Sequence, residues 1–89
     1  MIDRNIKIIN KLGLHARAAA KLVKLASRFE SDITIGKEGE GSDCKSILGI
    51  LSLAAAKGTT VIICCSGPDE LSAADAIVDL FSRKFDEPE

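Results

Sequence analysis

Eighty-nine residues supply enough chain for one modest hydrophobic core and too little for two, so residues 1–89 are expected to form a single domain. Hydrophobic residues make up 46% and charged residues 28%, which excludes the disordered class. A net charge of −1 argues against a strongly basic nucleic-acid binder.

The chain opens on alternation: Ile6 and Ile8 flank Lys7, so Ile2 to Ile9 predicts a strand. Asn10-Lys11-Leu12-Gly13 predicts a turn, and Ala16 to about Arg28 a helix. On that helix Ala19, Leu22, Val23, Ala26 and Phe29 recur at three- and four-residue spacing, while Lys21, Lys24 and Arg28 fall outside the stripe and are expected in solvent. Ile33 and Ile35 mark a second strand ending at Gly36; the polar stretch Lys37-Glu38-Gly39-Glu40-Gly41 predicts a hairpin turn or short loop, and about Glu40 to Cys44 a third strand.

Ser46 has the character of a helix N-cap, with a hydroxyl able to accept from the first turn. The predicted helix, Ile47 to about Ala56, is apolar round more of its circumference than one buried face requires. Ile50, Leu53 and Ala54 form one arc; Ile47, Leu48 and Leu51 form another, about 120° away. The second arc is expected to be partly exposed, and Lys57-Gly58 to end the helix.

Thr59 to Ser66 is apolar on both alternating sets, as in an interior strand. Gly67-Pro68-Asp69-Glu70 opens a last helix with inner stripe Leu71, Ala74, Ile77, Val78, Phe81 and Phe85 and with Arg83-Lys84 near its end. Asp86-Glu87-Pro88-Glu89 reads as a fraying acidic end. The order is β-α-β-β-α-β-α, an α+β chain, and order alone leaves a ferredoxin-like arrangement open.

Cys44, Cys64 and Cys65 contain no CxxC pair, and His15 is the single histidine, so no metal-ligand spacing is present and no cofactor is implied. Three unpaired thiols suit a reducing compartment. With neither a signal-peptide pattern nor an apolar run long enough to span a bilayer, a cytoplasmic protein without membrane insertion is expected.

His15 is the residue with the most chemistry. It stands where a turn gives way to an alanine-rich helix, and the free N–H groups of a first helical turn favour an anion. Arg17 adds a cation whose planar fork suits phosphate. Imidazole is neutral over much of the physiological range and can act as a phosphoryl acceptor. A helix-start histidine without chemistry is the plainer alternative.

Gly13-Leu14-His15-Ala16-Arg17, followed by Ala19-Ala20-Lys21-Leu22-Val23, resembles the active-site segment of the histidine-containing phosphocarrier (HPr) proteins of the bacterial phosphotransferase system. Lys45-Ser46-Ile47-Leu48-Gly49-Ile50-Leu51-Ser52-Leu53 resembles that family's second signature at the family's spacing. The resemblance implies an open-faced β-sandwich, with a four-stranded antiparallel sheet in the order 1-4-2-3 and helices on one face. It implies that His15 carries the phosphoryl group on Nδ1 and that Arg17 assists it. It also implies partners: enzyme I as donor, an A component (EIIA) as acceptor, and in some relatives an HPr kinase/phosphorylase acting at the position of Ser46. Ile47, Leu48 and Leu51 fall in the partner-binding helix of the family.

One departure is Ala18, where the family usually has proline; alanine is a good helix former and should be tolerated. Asn10-Lys11-Leu12-Gly13 and the ending Leu80-Phe81 through Phe85-Asp86-Glu87 resemble the nitrogen-related branch, whereas Lys45-Ser46 matches the sugar branch equally well. The expectation is a monomeric phosphoryl carrier rather than a stand-alone enzyme. Its rival is a regulatory binding module of the same fold, controlled through Ser46 without phosphoryl relay.

Overall fold

A computed structural model describes residues 1–37 and 39–87. The elements are β1 (Ile2–Lys7), α1 (Ala16–Ala26), β2 (Asp32–Lys37), β3 (Glu40–Asp43), α2 (Ile47–Ser52), β4 (Thr60–Ser66) and α3 (Glu70–Ser82), with a single 3-10 turn at Lys84–Asp86. The strands form one antiparallel sheet in the order β1-β4-β2-β3.

Register explains the layering. Ile6 pairs with Val61 and Ile35 with Ile63, so their side chains share one face. On that face Val61, Ile63 and Cys65 are buried with Ile33, Ile35 and Ile50. Leu22, Ala26, Ile77 and Phe81 close the core from the helices. The other face is open. β4 is interior in its hydrogen bonds, as its apolar run suggested, yet Ile62 points outward and is 48% exposed. Cys64 and Cys65 point to opposite faces, and burial pushes the Cys44 thiol up to about 12.

Several sequence expectations shift in detail. β1 ends at Lys7 rather than Ile9: Ile8 N still donates to Thr59 O at 2.9 Å, but Ile8 O accepts from Gly58 N at 2.8 Å, which breaks the register. α2 ends at Ser52, short of Ala56. Its last turn tightens through Ala54 N to Leu51 O at 3.1 Å, and Ala54 adopts φ +50°. That turn buries Ala55 and delivers its carbonyl to Leu14 N at 2.9 Å. Gly58 therefore lies in the turn into β4 instead of ending the helix. On α3, Leu71 is exposed, and Ala73 and Leu80 take inner positions instead. Phe85 is buried, but from the turn after α3, where it meets Phe81 edge-on at 4.8 Å between centroids.

Two loops at the far end of the sheet are locked together. Asp69 accepts from Glu30 N, Ser31 N and Ser31 Oγ at 3.0, 3.0 and 2.5 Å, and the Ser31 bond chiefly holds its carboxyl below the usual range. A Cβ on Gly67 would lie 2.7 Å from Ser31 Cα, so only glycine permits this approach. Lys45 donates to Phe29 O at 2.8 Å and Ser31 O at 3.0 Å, tying the start of α2 to the end of α1.

Candidate functional site

The turn before α1 is held by backbone contacts. Gly13 has φ +66°, and a Cβ there would lie 2.6 Å from Ala55 O. Gly13 N bonds Asn10 O at 3.2 Å and Leu14 is buried, so the chain reaches His15 on a fixed course. His15 is the N-cap of α1, with extended backbone (φ −80°, ψ 178°). Its carbonyl accepts from Ala19 N at 2.8 Å, while its side chain makes no cap hydrogen bond. The N–H groups of Ala16, Arg17 and Ala18 precede the first intrahelical donor; Ala18 is buried, so the open positive end is that of exposed Ala16 and Arg17.

The ring of His15, 26% exposed, is held from the far end of the sequence. Its Nε2 is hydrogen-bonded to Glu87 Oε2. The other oxygen, Oε1, accepts from Asn10 Nδ2 at 2.9 Å, and Asn10 Nδ2 also donates to Gly13 O at 2.8 Å. Asn10 is buried, and its Oδ1 has no partner among the described residues. Burial pushes the Glu87 carboxyl up, but the hydrogen bonds from His15 and Asn10, with the nearby charge of Lys21, bring it below its ordinary value.

Glu87 reaches this position through a left-handed turn. Lys84, Phe85 and Asp86 have φ of 56°, 56° and 59°, which costs about 1–2 kcal/mol per non-glycine residue. The turn persists because buried Phe85 anchors it and Lys21 Nζ donates to Phe85 O at 2.5 Å. Arg83 adds bonds to Asp79 and Asp86 at 2.8 Å.

Two sequence expectations are corrected here: Lys21 is a tether of the terminal segment rather than a solvated helix residue, and Asp86-Glu87 is docked rather than fraying. Pro88 and Glu89, also assigned to that end, lie outside the described residues.

The remaining sequence-predicted residues fall as follows. Arg17 is exposed at the second position of α1 and makes no ion pair among the described residues. Ser46 caps α2, its Oγ accepting from Gly49 N at 3.2 Å. Ile47 and Leu48 are exposed, Leu48 to 80%, and Leu51 is half-buried against the core. Ile50 and Leu53 are buried, as the arc predicted, but Ala54 is exposed because the helix has already ended. No group of three or more His, Cys, Asp or Glu among the described residues forms a metal cluster, and no described helix is long and apolar enough to cross a membrane.

Comparison with known proteins decides the family. The profile described as PTS HPr component phosphorylation site matches residues 2–83. The chain belongs to the HPr family. The phosphocarrier protein HPr of Cupriavidus necator is 48% identical over 89 residues, covering all of both chains. The crystal structure of HPr-C-His from Thermoanaerobacter tengcongensis superposes with a TM-score of 0.96 at 44% identity, again over all of both chains. An HPr from Bacillus anthracis gives 0.87 at 38% identity, covering 90% of this chain and 95% of the other. The sheet order 1-4-2-3 implied by the sequence resemblance is thus the observed one, and HPr identity supports a phosphocarrier role in the phosphotransferase system.

What the sequence missed in this HPr-family site is Asn10, Lys21 and Glu87. Their contacts span 77, 64 and 72 residues of chain for Asn10–Glu87, Lys21–Phe85 and His15–Glu87. No local periodicity encodes such pairings. The one local signal was Phe85, an apolar aromatic residue four positions after Phe81 in the inner stripe.

Proposed function

We propose that His15 accepts a phosphoryl group on Nδ1 from enzyme I and passes it to an A component, with Arg17 assisting. The observation carrying this reading is the single histidine at the uncapped start of α1, beside the exposed first residues Ala16 and Arg17, the arginine making no ion pair among the described residues. Phosphoryl transfer relies mainly on positioning and electrostatics, so a small carrier needs little beyond a nucleophile and a positive cradle. Ile47 and Leu48 supply exposed apolar surface for docking, with Leu51 beneath them. Ser46, half-buried as a cap, is the position where kinase control would act. The reading includes a monomeric single domain working in the cytoplasm, on either the sugar or the nitrogen branch.

The test is transfer from enzyme I and phosphoenolpyruvate, run with A components of both branches. Parent protein should acquire an acid-labile phosphate and deliver it faster to the component of its own branch. His15→Ala should acquire none; persistent acid-labile labelling of that variant would remove the reading. Failure of the parent to label would leave the regulatory binding module as the better account.

A further inference from the structure

We infer that Glu87 is the positioning residue that keeps the proton of the neutral His15 ring on Nε2 and so leaves Nδ1 as a bare nucleophile. The inference rests on the proposed acceptor role of His15. In a neutral imidazole one nitrogen carries the proton and the other the lone pair, and the hydrogen bond at one decides the state of the other. A carboxylate accepts only, so the nitrogen facing Glu87 must be the donor. Among the described residues His15 Nδ1 has no hydrogen-bond partner.

The carboxylate is itself fixed. Its side chain is only 8% exposed, and Oε1 accepts from Asn10 Nδ2. Asn10 in turn cannot rotate its amide, because both N–H groups are spent on acceptors, Gly13 O and Glu87 Oε1. The buried turn at Phe85 and the Lys21 tether hold the backbone that presents Glu87.

In the transfer step the Nδ1 lone pair forms the bond to phosphorus, and the bond from phosphorus to the donor's leaving atom breaks, that atom keeping the electron pair. No proton needs to leave His15. The ring gains positive charge as the new bond forms, and Glu87, still accepting from Nε2–H, stabilises it from the other nitrogen.

Glutamine separates this role from packing, because it has the same shape but one donor end. Asn10 presents an N–H, so the amide oxygen of Glu87→Gln must face Asn10 and its NH2 must face His15. That NH2 donates to Nε2 and drives the proton onto Nδ1, blocking the nucleophile. Glu87→Ala removes the bias without reversing it.

The experiment records 15N spectra of the His15 ring in unphosphorylated parent, Glu87→Ala and Glu87→Gln, and measures transfer from the phosphorylated donor. The parent should show the Nε2–H tautomer, Glu87→Ala a mixture, and Glu87→Gln mainly Nδ1–H. Transfer should fall in the same order, by about tenfold or more for glutamine, the scale of one hydrogen bond to a charged group. Unchanged tautomers overturn the inference, as does a tautomer change without a change in rate. So does a glutamine variant that transfers better than alanine, which would make Glu87 a packing residue. The ring spectra need no transfer, so labelling that survives in His15→Ala would sink the acceptor role while leaving the tautomer assignment separately readable.

Discussion

The starts of α1 and α2 occupy equivalent places in their helices and are built oppositely. Ser46 turns its hydroxyl back onto Gly49 N and closes its own helix end. His15 stands at the same cap position, makes no cap bond, and sends its ring to Glu87 instead. Serine at a cap is worth about 1 kcal/mol over a non-capping residue, so α1 forgoes that stability to leave its first N–H groups open. One end serves the fold; the other is left available for chemistry.

The contrast can be broken most severely at Gly13. Gly13→Val places a branched side chain at φ +66° and against Ala55 O, the carbonyl that also holds Leu14. A loss of about 3 kcal/mol is expected from backbone strain and overpacking together, read from urea unfolding. If stability is unchanged, the loop at Ala54–Ala56 does not set the course of the chain into α1.

A smaller change, and one of rate, is expected at Arg17. Arg17→Ala should slow phosphoryl transfer about tenfold to a hundredfold while moving unfolding by less than about 0.5 kcal/mol, because an exposed cation is lost and no core contact. Arg17→Lys should recover only part, lacking the planar fork. Parent rates in both variants would make Arg17 an ordinary solvated residue.

At α2 the effects should divide the other way. Ser46→Ala should cost about 1 kcal/mol with transfer nearly intact. Ser46→Asp should keep the fold, since negative charge suits a helix N-terminus, and weaken association with enzyme I by adding charge beside exposed Ile47 and Leu48. A calorimetric titration showing parent affinity for the aspartate variant would leave Ser46 as a cap alone.

The smallest effect concerns pH. The Glu87 carboxyl lies below its ordinary value in the folded chain, so its stabilising contribution is present above the usual glutamate range and is lost as pH falls through the lowered value. The Asn10 Nδ2 amide signals should shift as acid protonates Glu87 in the parent and should not shift over that range in Glu87→Gln. Identical titrations would show that the carboxylate does not hold the terminal segment.

By itself the sequence determined the element order, the inward sets Ile33/Ile35 and Leu22/Ala26, the cap at Ser46, and the candidate pair His15 and Arg17. All of these rest on short-range rules: alternation in strands, three- and four-residue recurrence in helices, and the chemistry of a helix's first turn. Where contacts come from distant chain, those rules stop. α2 ends early because Leu14, about 40 residues upstream, captures the carbonyl of Ala55 in a turn that helix periodicity cannot signal. Likewise Lys21 satisfies every criterion of a solvated lysine until Phe85 O is placed within its reach. Only the tertiary structure brought Glu87 to His15, because a charged residue near the end of a chain is solvated by default, and burying it requires Asn10, the ring and the anchored turn together.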